Sequence, residues 1–112
     1  VIEDEPQFAG ILRDLAHELG YNCLIAPNAD EGFGLAQQYQ PDAVLLDMCL
    51  PDHSGLTVLE RLKENPATRH IPVHVVSVED RKETALQMGA IGYALKPTTR
   101  EDLKGVFDRL EA

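Results

Sequence analysis

Short, continuously apolar runs alternate along this chain with segments in which apolar residues recur every three or four positions. The run from Ala43 to Asp47 is apolar until its last residue, which is typical of a strand covered by helices on both faces. Five such strands and five amphipathic helices, joined by short connections, predict a parallel sheet with right-handed crossovers. The fold class is therefore α/β, a doubly wound parallel sheet in three α/β/α layers.

The boundaries of these elements follow from local signals. We predict strands at the start of the chain and over residues 21–26, 43–47, 71–77 and 91–96. Asn28 can cap the second helix, and Gly89 can end the fourth helix, which we place over 79–88. Either Thr98 or Thr99 begins the last helix, since each has an acid three residues on. His74, in a buried strand, is interpreted as a core group with satisfied hydrogen bonds.

Composition and length restrict the class of protein. The 112 residues form one domain, 1–112, and because only two apolar residues precede Glu3 we expect it to start inside its first strand. No run approaches the roughly 18 apolar residues of a membrane helix, and no signal peptide is evident, so we expect a cytoplasmic domain without membrane contact. The net charge of −9 opposes direct binding to nucleic acid.

Four of the apolar runs end in residues that can handle a phosphoryl group. These residues are Glu3 with Asp4, Asp47, Ser77 and Lys96. In an open α/β sheet, side chains from the carboxyl ends of parallel strands meet beside the point where strand order reverses. The sequence therefore predicts one composite site.

Three carboxylates at one site require a cation. At about 5 Å and an effective dielectric near 20, each ionised pair among Glu3, Asp4 and Asp47 repels by roughly 3 kcal/mol. Magnesium suits such oxygen ligands and also accepts phosphate oxygens. With Lys96 and the Ser77 hydroxyl contacting other phosphoryl oxygens, Asp47 would act as a carboxylate nucleophile.

Two other chemistries are less compatible with these residues. A glycosidase-type acid and base pair also uses two carboxylates, but it leaves Lys96 and Ser77 without a role. A nucleotide or flavin site needs backbone amides that bind phosphate, whereas the first loop here is the acidic segment 3–6. Neither GxGxxG nor a Walker motif occurs.

Four motifs, in this order and at this spacing, resemble the receiver domain of two-component response regulators. They are Val1-Ile2-Glu3-Asp4-Glu5-Pro6, Leu45-Leu46-Asp47-Met48-Cys49-Leu50-Pro51 with Gly55, Val75-Val76-Ser77, and Gly92-Tyr93-Ala94-Leu95-Lys96-Pro97. The resemblance covers essentially the whole chain. It implies a flavodoxin-like (βα)5 fold with strand order 2-1-3-4-5.

By that resemblance, Asp47 is the phosphoacceptor and takes its phosphoryl group from a phosphohistidine on a histidine kinase or a histidine phosphotransfer domain. The magnesium ligands would be Glu3, Asp4, Asp47 and the backbone carbonyl of Cys49. Such a domain catalyses its own phosphorylation and dephosphorylation and is not a metabolic enzyme.

The resemblance also implies a switch. Ser77 and Lys96 would contact the phosphoryl group, the Lys96–Pro97 bond would be cis, and Tyr93 would be the aromatic switch residue. Their movement would alter a surface read by a downstream protein or output domain. We further hypothesise that Cys49 and Glu79, each two residues beyond a site residue, line the path of water to the phosphoryl group.

Two functional alternatives stay open on the sequence alone. One is a degenerate receiver that serves only as a protein-interaction module, and the other is a phosphotransferase or hydrolase acting on a small molecule through an aspartyl intermediate. The parent protein could be a stand-alone regulator, a longer regulator that begins with this domain, or a hybrid sensor histidine kinase. We expect the last of these, on the resemblance of 77–81 and 89–93 to receivers of that class.

Overall fold

Helices and strands alternate along the chain, and the structure, a computed structural model, describes them over residues 1–96 and 99–111. The elements in chain order are α1 (Pro6–Glu18), α2 (Ala29–Tyr39), β1 (Val44–Leu46), α3 (Gly55–Glu64), β2 (Val73–Ser77), α4 (Lys82–Gln87), β3 (Gly92–Leu95) and α5 (Arg100–Glu111). No helix in this described part is both long and apolar enough to cross a bilayer.

The sheet is parallel and has the predicted order. β1 pairs with β2, and β2 with β3, through the registers Val44–Val73 and His74–Gly92. Ile2 forms parallel bridges to Ala26 on one side and to β1 on the other. The sheet thus contains five segments, which in chain order are those at Ile2 and Ala26, then β1, β2 and β3. Numbered 1 to 5 in that order, they lie side by side as 2-1-3-4-5, which confirms the flavodoxin-like topology.

The first two predicted strands join the sheet through single bridges and not as full strands. Hydrogen bonds connect Ile2 N–H to Leu45 O at 2.8 Å and Glu3 N–H to Ala26 O at 2.9 Å. Residues 21–25, which the sequence predicts as strand, are not assigned to one. Beside the bridge, the carbonyl of Val1 accepts the N–H of Ala26 at 2.8 Å.

Two hydrophobic clusters cover the two faces of the sheet. On one face, Leu45 and Val76 pack against α1 and α5, including Leu12 and Phe107. On the other face, the strand residues that alternate with these pack against buried residues of α2, α3 and α4. These strand residues are Val44, Leu46, Val73 and Val75. This alternation explains why the strands, apart from His74 in β2, are apolar along their length and carry their other polar residues at or just beyond their ends.

Helix ends follow the predicted signals. The side chain of Asn28 accepts the N–H of Glu31 at 2.9 Å, and Gly89 adopts a positive φ of 107° beyond α4. Thr99 Oγ1 accepts the N–H of Asp102 at 3.1 Å, which assigns the last cap to Thr99, whereas Thr98 lies outside the described residues. Helix α4 begins at Lys82 and not at residue 79, because the preceding backbone contacts Tyr93 instead of extending the helix.

His74 is buried as predicted, but only one of its ring nitrogens has a partner among the described residues. Nδ1 lies 3.0 Å from Val75 O, while the buried Nε2 makes no hydrogen bond. A Cβ at Gly92 would lie 2.6 Å from Nε2, so the glycine leaves room for the ring on the neighbouring strand. The interpretation of His74 as fully satisfied was therefore wrong.

Candidate functional site

Three carboxylates meet at the carboxyl edge of the sheet. Glu3 and Asp4 follow the bridged residue Ile2, and Asp47 follows β1, so adjacent segments bring them to one place. Their oxygen atoms lie within 4.8 Å of one another. Glu3 and Asp47 are 3% and 5% exposed, whereas Asp4 is open to solvent. The group can therefore present oxygen ligands from a buried base to an exposed opening.

The charges in this group are only partly compensated. Lys96 Nζ donates to Glu3 Oε1 and lies 3.9 Å from Asp47 Oδ2. Burial raises the pKa of Glu3 to about 7, against the opposing effect of the Lys96 ammonium. Among the described residues, one ammonium thus faces three acids. An oxygen-only donor set with surplus negative charge fits a hard divalent cation such as magnesium.

Close backbone packing fixes the position of Asp47. Its N–H donates to Ile2 O at 3.0 Å, and the N–H of Cys49 lies 3.4 Å from its Oδ1. Gly55, the first residue of α3, donates its N–H to Met48 O at 2.8 Å. A Cβ at position 55 would lie 2.3 Å from Asp47 O, so a side chain there would push the backbone of the site away.

Lys96 reaches the carboxylates from the end of β3. Its backbone N–H donates to Ser77 O at 2.8 Å, which continues the ladder between β2 and β3. Its ammonium also lies over the ring of Phe8 in α1, 4.2 Å from the centroid. The predicted cis bond to Pro97 lies outside the described residues.

Ser77 and Tyr93 are connected through the backbone of Glu79. Ser77, which is fully buried, accepts the N–H of Glu79 on Oγ at 3.3 Å. The half-buried Tyr93 donates its hydroxyl to Glu79 O and accepts the N–H of Arg81 at 3.2 Å. The structure thus brings both proposed switch residues into contact with the segment between β2 and α4.

Cys49 is exposed, and its thiol lies beside the carboxylate of Glu79. That carboxylate, with a smaller contribution from burial, raises the pKa of the Cys49 thiol to about 11. The thiol therefore stays protonated at neutral pH and is a poor ligand for a hard cation. Among the groups of Cys49, the backbone carbonyl is the chemically suitable donor to magnesium.

Two residues near the site were not anticipated from the sequence. Phe8 belongs to the apolar pattern of α1 and packs at the edge of the cluster on that face, and its ring also lies against the Lys96 ammonium. Asp52 was not assigned a role, yet its carboxylate accepts the N–H groups of Ala29 and Asp30. Helical periodicity places Phe8 in the first turn of α1, close to the predicted site. No signal in the sequence around Asp52 indicates that its carboxylate would contact α2.

Sequence comparison places this arrangement among known proteins. The chain matches the response regulator receiver domain family over residues 1–108. It is 35% identical over 100 residues to the polar-differentiation response regulator DivK of Brucella anthropi, covering 87% of this chain and 81% of that protein. It is 31% identical over 106 residues to the phosphate regulon transcriptional regulatory protein PhoB of Pseudomonas aeruginosa, covering 92% of this chain and 46% of that longer protein.

Solved structures show the same fold. A putative response regulator from Chloroflexus aurantiacus aligns with a TM-score of 0.89 at 24% identity, covering 99% of this chain and 94% of that one. The receiver domain of sensor histidine kinase PA1611 from Pseudomonas aeruginosa, solved with magnesium in its active site cleft, aligns with a TM-score of 0.88 at 23% identity and the same coverage of both chains. On the sequence match and the shared fold, this chain belongs to the receiver domains of two-component response regulators.

Proposed function

We propose that this receiver is an active phosphoacceptor and that Asp47 is the phosphorylated residue. The observation that carries the proposal is the position of Asp47 beside Lys96 Nζ, at 3.9 Å, within the group of three carboxylates. A domain that served only as an interaction module would not need a buried acid, an ammonium and a cation-binding set at one strand edge. The phosphodonor would be a phosphohistidine of a histidine kinase or a histidine phosphotransfer domain.

The transfer uses the side chains already in place. A carboxylate oxygen of Asp47 forms the new bond to phosphorus, the P–N bond of the donor breaks, and its electron pair stays on the imidazole nitrogen. Lys96, which pairs with Glu3, would turn its ammonium toward a phosphoryl oxygen on Asp47, since its Nζ already lies 3.9 Å from Asp47 Oδ2. Ser77 accepts a bond from Glu79, which leaves its hydroxyl proton available to another phosphoryl oxygen.

Magnesium would be held by Glu3, Asp4, Asp47 and the carbonyl of Cys49. When bound, it would neutralise the acids and stabilise negative charge on the phosphoryl oxygens. The magnesium in the PA1611 receiver and the manganese in the response regulator Rcp1 support this assignment by analogy of fold.

The signal would leave through the segment 78–81. Phosphorylation adds about −1.5 to −2 charge beside Ser77. If Ser77 turns toward the phosphoryl group, Glu79 loses the acceptor of its N–H, and the same residue holds Tyr93 through its carbonyl. Helix α4 follows directly and, within its six residues, buries only Ala85, so it is weakly anchored. A downstream protein or output domain would read this surface.

The cellular context is proposed on the same basis. Phosphodonors of this kind would place the domain in the cytoplasm. Similar receivers occur in DivK, in the longer PhoB and in a sensor histidine kinase, so a hybrid sensor kinase as the parent of this chain stays a prediction.

Phosphorylation of the whole chain by acetyl phosphate tests the function. With magnesium, intact-mass analysis should show one added phosphoryl group on the native protein and none on Asp47→Asn. Asp42→Asn is the matched control, because Asp42 precedes the same strand at its opposite end. Absence of an adduct on the native protein, or an equal adduct on Asp47→Asn, would favour the interaction module.

A further inference from the structure

The loop between β1 and α3 is fastened to the start of α2 by Asp52. Oδ1 of Asp52 accepts the N–H of Ala29 at 2.8 Å, and Oδ2 accepts the N–H of Asp30 at 3.0 Å. The following donor, the N–H of Glu31, is taken by Asn28. The first turn of α2 is therefore capped twice, once by its own N-cap residue and once by a loop that is distant in sequence.

The loop that carries Asp52 is closed at its base. Cys49 and Ser54 form an antiparallel bridge, and the N–H of Gly55 donates to Met48 O at 2.8 Å. Residues 49–54 are thus a small unit with Asp52 near its tip. Because its base is closed, the placement of the tip against α2 also restrains Cys49.

Hydrogen bonds and the short backbone segments between them connect α2 back to the acidic group. Two residues before Asn28, Ala26 accepts the N–H of Glu3 at 2.9 Å, and Ile2 O in turn accepts the N–H of Asp47 at 3.0 Å. Asp47 leads directly into the loop 49–54, so the connections close into a ring. The oxygen donors that we assign to magnesium all belong to this ring or adjoin it, namely Glu3, Asp4, Asp47 and the carbonyl of Cys49.

We infer that Asp52 is a positioning residue for the magnesium site, because its two hydrogen bonds to α2 set the place of the Cys49 carbonyl relative to the carboxylates. This inference rests on the proposed function above. Without Asp52, the N–H groups of Ala29 and Asp30 lose their acceptor, and the exposed His53–Asp30 pair, at 3.5 Å, is the polar contact to α2 that the loop keeps among the described residues. Ordering that loop then becomes part of the cost of binding magnesium, and the affinity falls.

The same neighbourhood contains a second group of possible ligands, which the contacts argue against. Asp30, Asp52 and His53 are exposed and place ligand atoms within 4.8 Å of one another. However, both oxygens of Asp52 already accept backbone N–H groups, and Asp30 pairs with Arg61 at 3.1 Å. These contacts describe a structural network and not a metal site.

Titration of the whole chain with magnesium chloride alone, followed by calorimetry, tests the inference. Asp52→Ala should bind magnesium about 10-fold more weakly than the native protein, the lower end of the effect typical of groups that orient metal ligands. Asp30→Ala is the matched control, since it removes an equal charge from the same cluster, with its exposed pairs to His53 and Arg61, and keeps Asp52 as the acceptor of the α2 N–H groups. It should bind within about twofold of the native protein by the same reasoning.

Asp52→Glu separates position from charge. It keeps the charge but moves the carboxylate, so we expect weakened binding here too. Native-like magnesium affinity in Asp52→Ala would overturn the inference. It would also be overturned if Asp52→Glu bound like the native protein while Asp30→Ala lost as much affinity as Asp52→Ala, because that result would show an effect of charge alone. If urea titrations show that Asp52→Ala does not fold, Asp52→Asn, which keeps one acceptor oxygen, takes its place. Asp52→Asn should show a smaller but measurable loss of magnesium affinity, and native affinity in this variant would overturn the inference.

Two further readouts distinguish this inference from the proposed function. In acetyl phosphate reactions, Asp52→Ala should need more magnesium for half-maximal rate but reach the native rate at saturation, and an unchanged magnesium requirement would count against positioning. In NMR spectra, the amides of Ala29 and Asp30 should shift in the variant. If the native protein binds no magnesium, the proposed function itself fails; if it binds and Asp52→Ala binds equally, only the role of Asp52 fails.

Discussion

The ammonium of Lys96 lies over the aromatic ring of Phe8, with Nζ 4.2 Å from the ring centroid. The ring comes from the first turn of α1 and the lysine from the end of β3, so opposite ends of the chain meet at the site. The ring is half-buried, and the lysine side chain is 10% exposed. At such a site a cation–π contact contributes about 1 to 2 kcal/mol and restricts where the ammonium can point.

Phe8→Leu should therefore slow phosphorylation of Asp47. The apolar contact is largely retained, while the attraction to the ammonium is lost, so the expected decrease in rate constant is about 5- to 10-fold. The measurement is the rate of adduct formation with acetyl phosphate at saturating magnesium. Phe33→Leu is the control, because Phe33 lies under Arg61, 4.3 Å from the guanidinium carbon, and does not contact Lys96. Equal rates in both variants would refute a role for the ring.

Gly55→Ala should destabilise the fold at the site itself. The added Cβ would lie 2.3 Å from Asp47 O and 2.6 Å from Met48 Cα, both backbone atoms that cannot move without displacing the loop. We expect a loss of about 1 to 3 kcal/mol in the free energy of unfolding, measured by urea titration. Gly34→Ala, at a position in α2 where no atom of the described residues lies within 4 Å of the added Cβ, should be neutral or slightly stabilising. A fully stable Gly55→Ala would mean that the loop after Asp47 can shift away from the added Cβ at little cost.

His74 should make the domain less stable in mild acid. Burial, with a smaller contribution from Arg109, lowers the pKa of His74 below its usual 6.5, against the effect of the Val75 carbonyl. Below about pH 6.5 the unfolded chain binds a proton that the folded His74 does not, so stability is present above that pH and falls as the pH decreases.

The matched variant is His74→Leu, compared by urea titration at pH 7.5, 6.5 and 5.5, values chosen to span the ordinary histidine pKa. Over the acidic part of this range, the free energy of unfolding of the native protein should fall by up to about 1.4 kcal/mol per pH unit more than that of the variant. Parallel pH profiles would exclude His74 as the source of the effect.

Replacing Cys49 and Glu79 together by alanine should shorten the life of the phosphoryl group. The thiol and the carboxylate contact each other beside the site, and smaller side chains would open the approach of water to Asp47. We expect hydrolysis to be roughly 3- to 10-fold faster, which corresponds to about 1 kcal/mol in the barrier. The measurement is loss of the adduct after acetyl phosphate is removed, with Glu83→Ala in α4 as a surface control. An unchanged half-life would show that these side chains do not control water.

The sequence could predict the topology and the location of the acids because both follow from the alternation of parallel strands with helices. Parallel strands must end at the same edge, so Asp47 and Lys96 are brought together once the order of strands is known. It could not predict that the first two predicted strands, at the start of the chain and over 21–26, form bridges and not full ladders, since an apolar pattern reports side-chain burial and not the presence of a backbone partner. Residues 21–25 illustrate this difference.

Long-range partners were also beyond the sequence. Periodicity identifies the apolar face of α1 but not that Phe8 meets Lys96, nor that Ile11 of the same pattern is 53% exposed. Likewise, Asp52 in a turn is compatible with a local Asx turn, and only the packing of α2 beside the loop gives its carboxylate two N–H donors. Such contacts depend on how elements are placed in space, which local patterns do not encode.

The backbone and the side chain of Glu79 contact different residues of the site. The backbone joins Ser77 to Tyr93, whereas the carboxylate lies beside the thiol of Cys49. A substitution at position 79 changes the carboxylate and leaves the N–H and C=O in place. Under the proposed function, the duration of the phosphorylated state and its transmission to Tyr93 would then be separately adjustable, so homologous receivers could acquire different lifetimes without rebuilding the connection that carries their signal.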